Sequence, residues 1–305
     1  MVMRAAVAGR KITETTILET CTPACSGAAT GAILLPMRIS VITPSYNTGA
    51  YIEATLKSVL IQREAGDFEL EYIVVDGGST DGTGSVLERY RSALAQVVIE
   101  PDHGPASAIN KGLRLATGDI LAWLNADDGY HPGSLARVAD AFRRQPARAL
   151  CFGRCRIVDE EGREIRRGIT RFKELLFPFS CRPLIQTINY VSQPALFFTR
   201  RAWQQAGGLR EDLRAAFDYE LLLRLWRQGG AVRLGGAPLA DFRWHPGSIS
   251  GRNFERQFRE EWEAAAADAG RFAPQTLAHA AVRRGIVASY RCLARRRQAR
   301  GGDTA

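Results

Sequence analysis

The chain has no run of about 18 apolar residues, so no segment reads as a membrane-spanning helix. It has no G-x-G-x-x-G turn after its first strand pattern and no G-x-x-x-x-G-K-S/T loop, which argues against dinucleotide-binding and P-loop chemistry. Lysine occurs only at Lys11, Lys57, Lys111 and Lys173, so the net charge of +9 rests on arginine. Six cysteines are present, but the 21/25 and 151/155 spacings are not the tight C-x-x-C pairs of a zinc site. Buried reduced thiols in a cytosolic chain are the expectation. No signal peptide is expected within residues 1–36, because the apolar stretch Ala32–Leu35 is too short and follows polar residues. Residues 1–36 are expected to be a dispensable extension, disordered or upstream of the true start.

What is present is ordinary for a globular protein: 46% hydrophobic and 24% charged residues in a 305-residue chain. The basic balance favours anionic partners. From Arg38 the pattern alternates. "RISVITPSYN", "LEYIVVD", "QVVIE" and "DILAWLN" read as strands, the first ended by Pro44. Helical stripes lie between them, for example Ile52, Leu56, Val59 and Leu60, and Gly118 is expected just past the end of the third helix. Such alternation predicts an α/β, doubly wound, mostly parallel sheet. After residue 148 the pattern changes to a hairpin around Glu161 and Gly162, a strand in "PALFFTR", an apolar helix carrying Leu221, Leu222, Leu225 and Trp226, and a strand leading to His245.

Asp76, Glu100 and Asp127 each fall at the carboxyl end of a strand, where open α/β sheets bind ligands. The adjacent carboxylates of Asp127 and Asp128 repel unless a positive charge intervenes. A hard cation, Mg²⁺ or Mn²⁺, suits them, because it takes one or two carboxylates plus substrate phosphates. Gly77 and Gly78 let backbone approach a ligand closely. Structural alternatives stand beside each of these: a solvated Asp127–Asp128 turn, Asp218 as a helix cap, Lys111 at a helix end, and a structural His245.

"VITPSYN", "YIVVDGGSTDGT", "EPDHGPASAINKGL" and "GDILAWLNADDGY" resemble, in order and spacing, the nucleotide-sugar-binding half of family-2 glycosyltransferases. "QPALFFTRRAWQQAGGLREDLRAAFDYELLLRL" and "FRWHPGSIS" resemble the acceptor half and closing segment of that family. The resemblance spans about residues 37–250. It implies a GT-A fold, with a donor half over 37–145, an acceptor-side α/β extension over 146–250 and a basic helical segment over 251–305. It also implies inverting transfer from a nucleotide-diphosphate sugar, a UDP-sugar by expectation. On it, Pro44, Tyr46 and Asn47 line the nucleotide pocket. Asp76, in a loop with Gly77 and Ser79, meets the base or ribose, with Glu100, Asn110 and Lys111 nearby. The D-x-D signature falls on Asn125, Ala126 and Asp127, which leaves Asp127 and Asp128 as metal carboxylates. Asp218 matches the catalytic base, with Glu220 the next candidate, and His245 matches a position near the diphosphate or metal.

The implied partners are a nucleotide-sugar donor and a glycan or lipid-linked acceptor of a bacterial-type surface glycan. The expected location is cytoplasmic. The C-terminal helix, with Val282, Ile286, Tyr290 and Leu293 on one face and arginines elsewhere, reads either as docked on its own domain with a solvated basic face or as a peripheral contact at the inner face of the plasma membrane. The rivals are a sugar-nucleotide nucleotidyltransferase, a noncatalytic family member and a basic nucleic-acid-binding module. The first needs a Gly-rich basic loop that "TPSYNTGAY" does not provide. The last needs aromatics interleaved with arginine on an open surface, so no nucleic-acid partner is expected.

Overall fold

Period-two alternation of apolar side chains builds the central sheet. The computed structural model of the protein describes residues 36–245, 247–248 and 254–301, with side chains described up to residue 287. The extension expected over 1–36 lies outside these bounds, Pro36 excepted. Strands β1 (Arg38–Ser45), β2 (Glu69–Asp76), β3 (Gln96–Ile99) and β4 (Ile120–Trp123) run parallel, joined by α1 (Ile52–Leu60), α2 (Thr83–Tyr90) and α3 (Pro105–Leu115). Ile39, Val41, Tyr72, Val74, Ile120 and Ala122 face one way, onto Ile52, Leu56 and Val59 of α1. The same layer takes in Leu135, Val138 and Phe142 of α4 (Ser134–Arg144). Their sequence neighbours Ile42, Ile73, Val75, Leu121 and Trp123 face the other way, onto Ile109 and Leu113 of α3. Each fully buried Ile, Leu or Val contributes about 1.5–3 kcal/mol, so both faces must be covered by helices.

The chain then adds β5 (Gly129–Tyr130), β6 (Leu150–Phe152), β7 (Cys155–Val158), β8 (Glu164–Ile165), α5 (Arg167–Leu176), α6 (Arg182–Thr187), β9 (Leu196–Thr199), α7 (Arg200–Ala206), α8 (Phe217–Trp226), β10 (Ala231–Arg233) and β11 (Ala240–Arg243). Two helices follow, α9 (Phe254–Ala269) and α10 (Pro274–Gly301). The seven-stranded sheet has the order β10-β6-β9-β4-β1-β2-β3. β9 enters it antiparallel, between β4 and β6. A second sheet, β5-β11-β7-β8, lies at the site end of β4 and contains the expected hairpin, β7–β8, with Gly162 in its turn at φ +80°.

Two local expectations are corrected. Pro44 does not end β1, which pairs with β2 through Ser45. Ile42 is the last residue of β1 paired with β4, and its carbonyl accepts from Leu124 N–H. Pro44 shares the parity of Ile42, so its missing N–H faces the side that β4 has already left. Gly118 does not cap α3, whose C-cap is Ala116. It is glycine because a Cβ there would come within 2.5 Å of Ser40 Oγ and 2.7 Å of Ser40 N on β1.

Candidate active site

The loops leaving β1 and β2 are laced together by side chains. Asn47 takes a left-handed conformation (φ 52°), which Asn tolerates better than most residues. Its N–H donates to Ser79 Oγ (2.8 Å) and its Oδ1 accepts from Thr80 N–H (2.9 Å). Gly49 N–H donates to Asp81 Oδ2 (2.9 Å). Asp76, the last residue of β2, is buried and folds its own turn, accepting from Ser79 N–H (2.8 Å), Ser79 Oγ (2.6 Å) and Gly78 N–H (3.2 Å). A Cβ at Gly77 would stand 2.6 Å from Asp102 Oδ2. Over this braced rim Tyr46 is 62% exposed, a flat apolar face of the kind on which a base stacks.

Beyond β4 the adjacent acids separate. Asp128 is 2% exposed. Its Oδ1 accepts from Arg243 N–H (2.8 Å) and its Oδ2 from Asn125 Nδ2 (3.1 Å). Burial pushes this carboxyl well above the usual carboxylate range; the Asp127 charge adds to that, and the Arg243 and Asn125 hydrogen bonds oppose it. Asp127 faces outward, with its Oδ2 3.0 Å from His245 Nε2, and His245 stacks on Tyr51 (ring centroids 5.1 Å apart). Arg243 on β11 ties the turn down from behind, donating from Nε to Asp127 O (2.9 Å).

Among the described residues no cluster of three or more His, Cys, Asp or Glu side chains is arranged to hold a metal. The donors at the mouth are one carboxylate, Asp127, and one imidazole, His245. That pair fits a divalent cation whose remaining positions are filled by substrate phosphates and water. Asp128, the other expected carboxylate, is turned inward, with each oxygen accepting one hydrogen bond from the protein.

A third group of residues gathers at the start of α8. Asp218 sits in the first turn of α8 and accepts from Tyr219 N–H at Oδ1 (2.8 Å). Burial raises its pKa; the Tyr219 hydrogen bond and the nearby Lys173 charge pull the other way. Lys173, from α5, donates to Ser192 Oγ (3.2 Å), and burial lowers its pKa against the charges of Glu261 and Asp218. Glu261, from α9, is buried and accepts from Gln257 Nε2 (3.2 Å) and Asn189 Nδ2 (3.3 Å). Burial pushes its carboxyl up to about 7, and the Asp218 charge pushes the same way. Its neighbour Glu260 accepts from the backbone N–H of Arg214 (3.1 Å), Ala215 (2.8 Å) and Ala216 (3.1 Å), so α9 clamps the entry to α8.

The two halves meet at Ser192 and Gln193. Gln193 Oε1 accepts from Asn125 Nδ2 (3.4 Å), its Nε2 donates to Trp123 O (2.7 Å), and Ser192 holds Lys173. A model of the glycosyl transferase family 2 matches residues 40–206, more than half of the chain.

The chain belongs to glycosyl transferase family 2. It is 29% identical over 193 residues to the chondroitin synthase of Escherichia coli, a match covering 63% of this chain and 27% of that larger protein. In three dimensions it is similar to S. aureus TarS 1–349 in complex with UDP-GlcNAc (TM-score 0.59, 24% identity, 78% of this chain and 68% of that one). It is also similar to the mannosyltransferase PcManGT from Pyrobaculum calidifontis in complex with GDP-Man and Mn²⁺ (TM-score 0.57, 20% identity, 86% and 81%). The expected GT-A architecture is therefore present. Family membership also sets aside the nucleotidyltransferase and nucleic-acid readings.

Within this family 2 chain the expected residues Tyr46, Asn47, Asp76, Gly77 and Ser79 lie on the loops after β1 and β2, Asn125 and Asp127 on the turn after β4, and Asp218 in the first turn of α8 near Lys173. Pro44 and Ala126 are buried. Glu100 is bound by Lys111, so each neutralises the other. Two residues are committed elsewhere. The Asn110 amide clasps the loop after α7, bonding Leu209 O (2.8 Å), Leu209 N–H (2.7 Å) and Glu211 Oε1 (2.9 Å). Both Glu220 oxygens hold Arg224 (2.8 and 2.6 Å), an ion pair that makes this carboxylate a poorer proton acceptor.

Lys173, Gln193, Arg243 and Glu261 were not foreseen. For Glu261 a signal did exist in "EEWEAAAADAG". The acid stands three and four residues before the buried Ala264 and Ala265, on the apolar side of the helix.

Proposed function

We propose that the protein transfers a sugar, with inversion, from a UDP-sugar to a hydroxyl of a glycan or lipid-linked acceptor. The observation that carries this reading is the presence of two acids in unlike settings. Asp127 is outward-facing beside His245, and Asp218 is pocketed beside Lys173. The first suits a diphosphate held through a cation; the second suits a proton acceptor.

The base and ribose stack on Tyr46 between the loops laced by Asn47 and Asp76. Asp127 and His245 would hold Mg²⁺ or Mn²⁺, which when bound neutralises the charge growing on the leaving diphosphate. Asp128 and Arg243 position Asp127 from behind. Asp218 Oδ2, the oxygen not engaged by Tyr219, takes the proton of the acceptor hydroxyl as that oxygen attacks the anomeric carbon. Burial makes Asp218 a stronger base than an exposed carboxylate, and the Lys173 charge opposes that rise. Lys173 is thus a positioning residue.

Melting curves against a panel of nucleotide sugars, with and without Mn²⁺, test the reading. A ligand at about 100 times its Kd stabilises by about 2.7 kcal/mol, so a cognate UDP-sugar raises Tm by several degrees only when Mn²⁺ is present. Equal curves across the panel would count against it.

A further inference from the structure

The helix that delivers Lys173 has an opposite face that none of the described residues covers. On α5 and the turn after it, Phe172 is 50% exposed, Leu175 70% and Phe179 71%. They stand at i, i+3 and i+7, the spacing of one apolar helix face, which a soluble protein ordinarily turns to its core. Thr170 and Phe177 already occupy the inward side and are buried. Along one edge of the stripe lie the exposed Arg167 and Arg171. Just before the helix, the exposed Arg166 places its guanidinium 4.1 Å from the centre of the Trp244 ring. Of the local acids, Glu164 pairs with Arg167 (3.3 Å) and Glu174 pairs with Arg154 (2.7 Å), so the face keeps a positive excess.

We propose that the outward face of α5 docks on an anionic phospholipid surface, with Phe172, Leu175 and Phe179 entering the headgroup boundary and Arg167 and Arg171 meeting lipid phosphates. Apolar residues bordered by arginine on one convex helix are the arrangement of an interfacial helix. Charge argues against a second copy of the chain as the occupant. A two-fold contact through this face would bring two patches of the same positive sign together. The inference does not depend on the catalytic reading. If both hold, the membrane lies about one helix diameter, ~10 Å, from Lys173, which suits an acceptor carried on lipid. This places the lipid contact on α5, whereas the sequence pointed to the C-terminal helix, where Arg295–Arg297 lie outside the described side chains.

The test is co-sedimentation of the full chain with phosphatidylcholine vesicles, with and without phosphatidylglycerol. The wild type is expected on the anionic vesicles and largely free with the neutral ones. The double variant Phe172→Ser/Leu175→Ser loses about tenfold or more of its partition, with unchanged Tm and UDP binding. Arg171→Glu loses several-fold on anionic vesicles alone. Wild-type partition by the double variant, equal retention on both vesicle types, or a wild-type dimer that the double variant converts to monomer without vesicle binding would each overturn the proposal.

Discussion

Glu261 offers the sharpest quantitative test of the site. Its carboxyl is pushed up to about 7 in the folded chain from an ordinary 4.5, chiefly by burial. The native state therefore holds this proton more tightly than the unfolded state does. Its contribution to stability is fullest below pH 4.5 and declines as pH rises towards 7. At about 1.4 kcal/mol per pH unit, the loss over that window is about 3 kcal/mol. Glu261→Gln keeps an Oε1 acceptor for Asn189 and Gln257 and removes the charge at every pH. It should match the wild type near pH 4 and exceed it by about 3 kcal/mol at pH 8, a urea midpoint higher by about 1 M. Urea unfolding of both chains from pH 4 to 8 measures this directly. A variant less stable than the wild type at pH 8, or a difference that does not change with pH, would refute the reasoning. Because Glu261 also faces Asp218 and Lys173, the same variant should shift the acidic limb of any transfer profile.

Three further outcomes follow from the geometry. Asp218→Asn should keep donor binding and lose transfer by about 10²–10⁴-fold, the range for a general base, as read by UDP release with acceptor present. Glu220→Gln should leave transfer within about twofold and cost about 1–3 kcal/mol of stability, because Arg224 loses its carboxylate; a large loss of transfer would return Glu220 to candidacy as the base. Asp128→Asn should weaken UDP binding less than Asp127→Asn does, as its carboxyl is internal; calorimetry that ranks them the other way would move the ligand role to Asp128.

The first half of the fold was legible in the sequence because β1, β2 and β4 are buried on both faces over most of their length. Runs such as Tyr72–Val75 leave no room for another assignment, and their acids fall at the ends by necessity. The acceptor side was harder for physical reasons. β9 slots antiparallel between β4 and β6, a pairing that no local pattern encodes. β5 has only two residues and exists because β11 pairs with it. Asp127 and Asp128 look equivalent in sequence, and distant partners distinguish them: the Arg243 N–H, 115 positions from Asp128, and the His245 ring beside Asp127. Glu220 and Asp218 share one helical turn, yet Arg224 at i+4 claims Glu220, a pairing readable in advance from spacing alone.

The account turns on one division of labour, donor capture by Asp127 and proton removal by Asp218. Isothermal titration of UDP with Mn²⁺ into the wild type, Asp127→Ala and Asp218→Asn tests it most directly. The expected result is Mn²⁺-dependent binding to the wild type, the same affinity in Asp218→Asn, and binding lost in Asp127→Ala. Unchanged affinity in Asp127→Ala, or loss in Asp218→Asn alone, would contradict it.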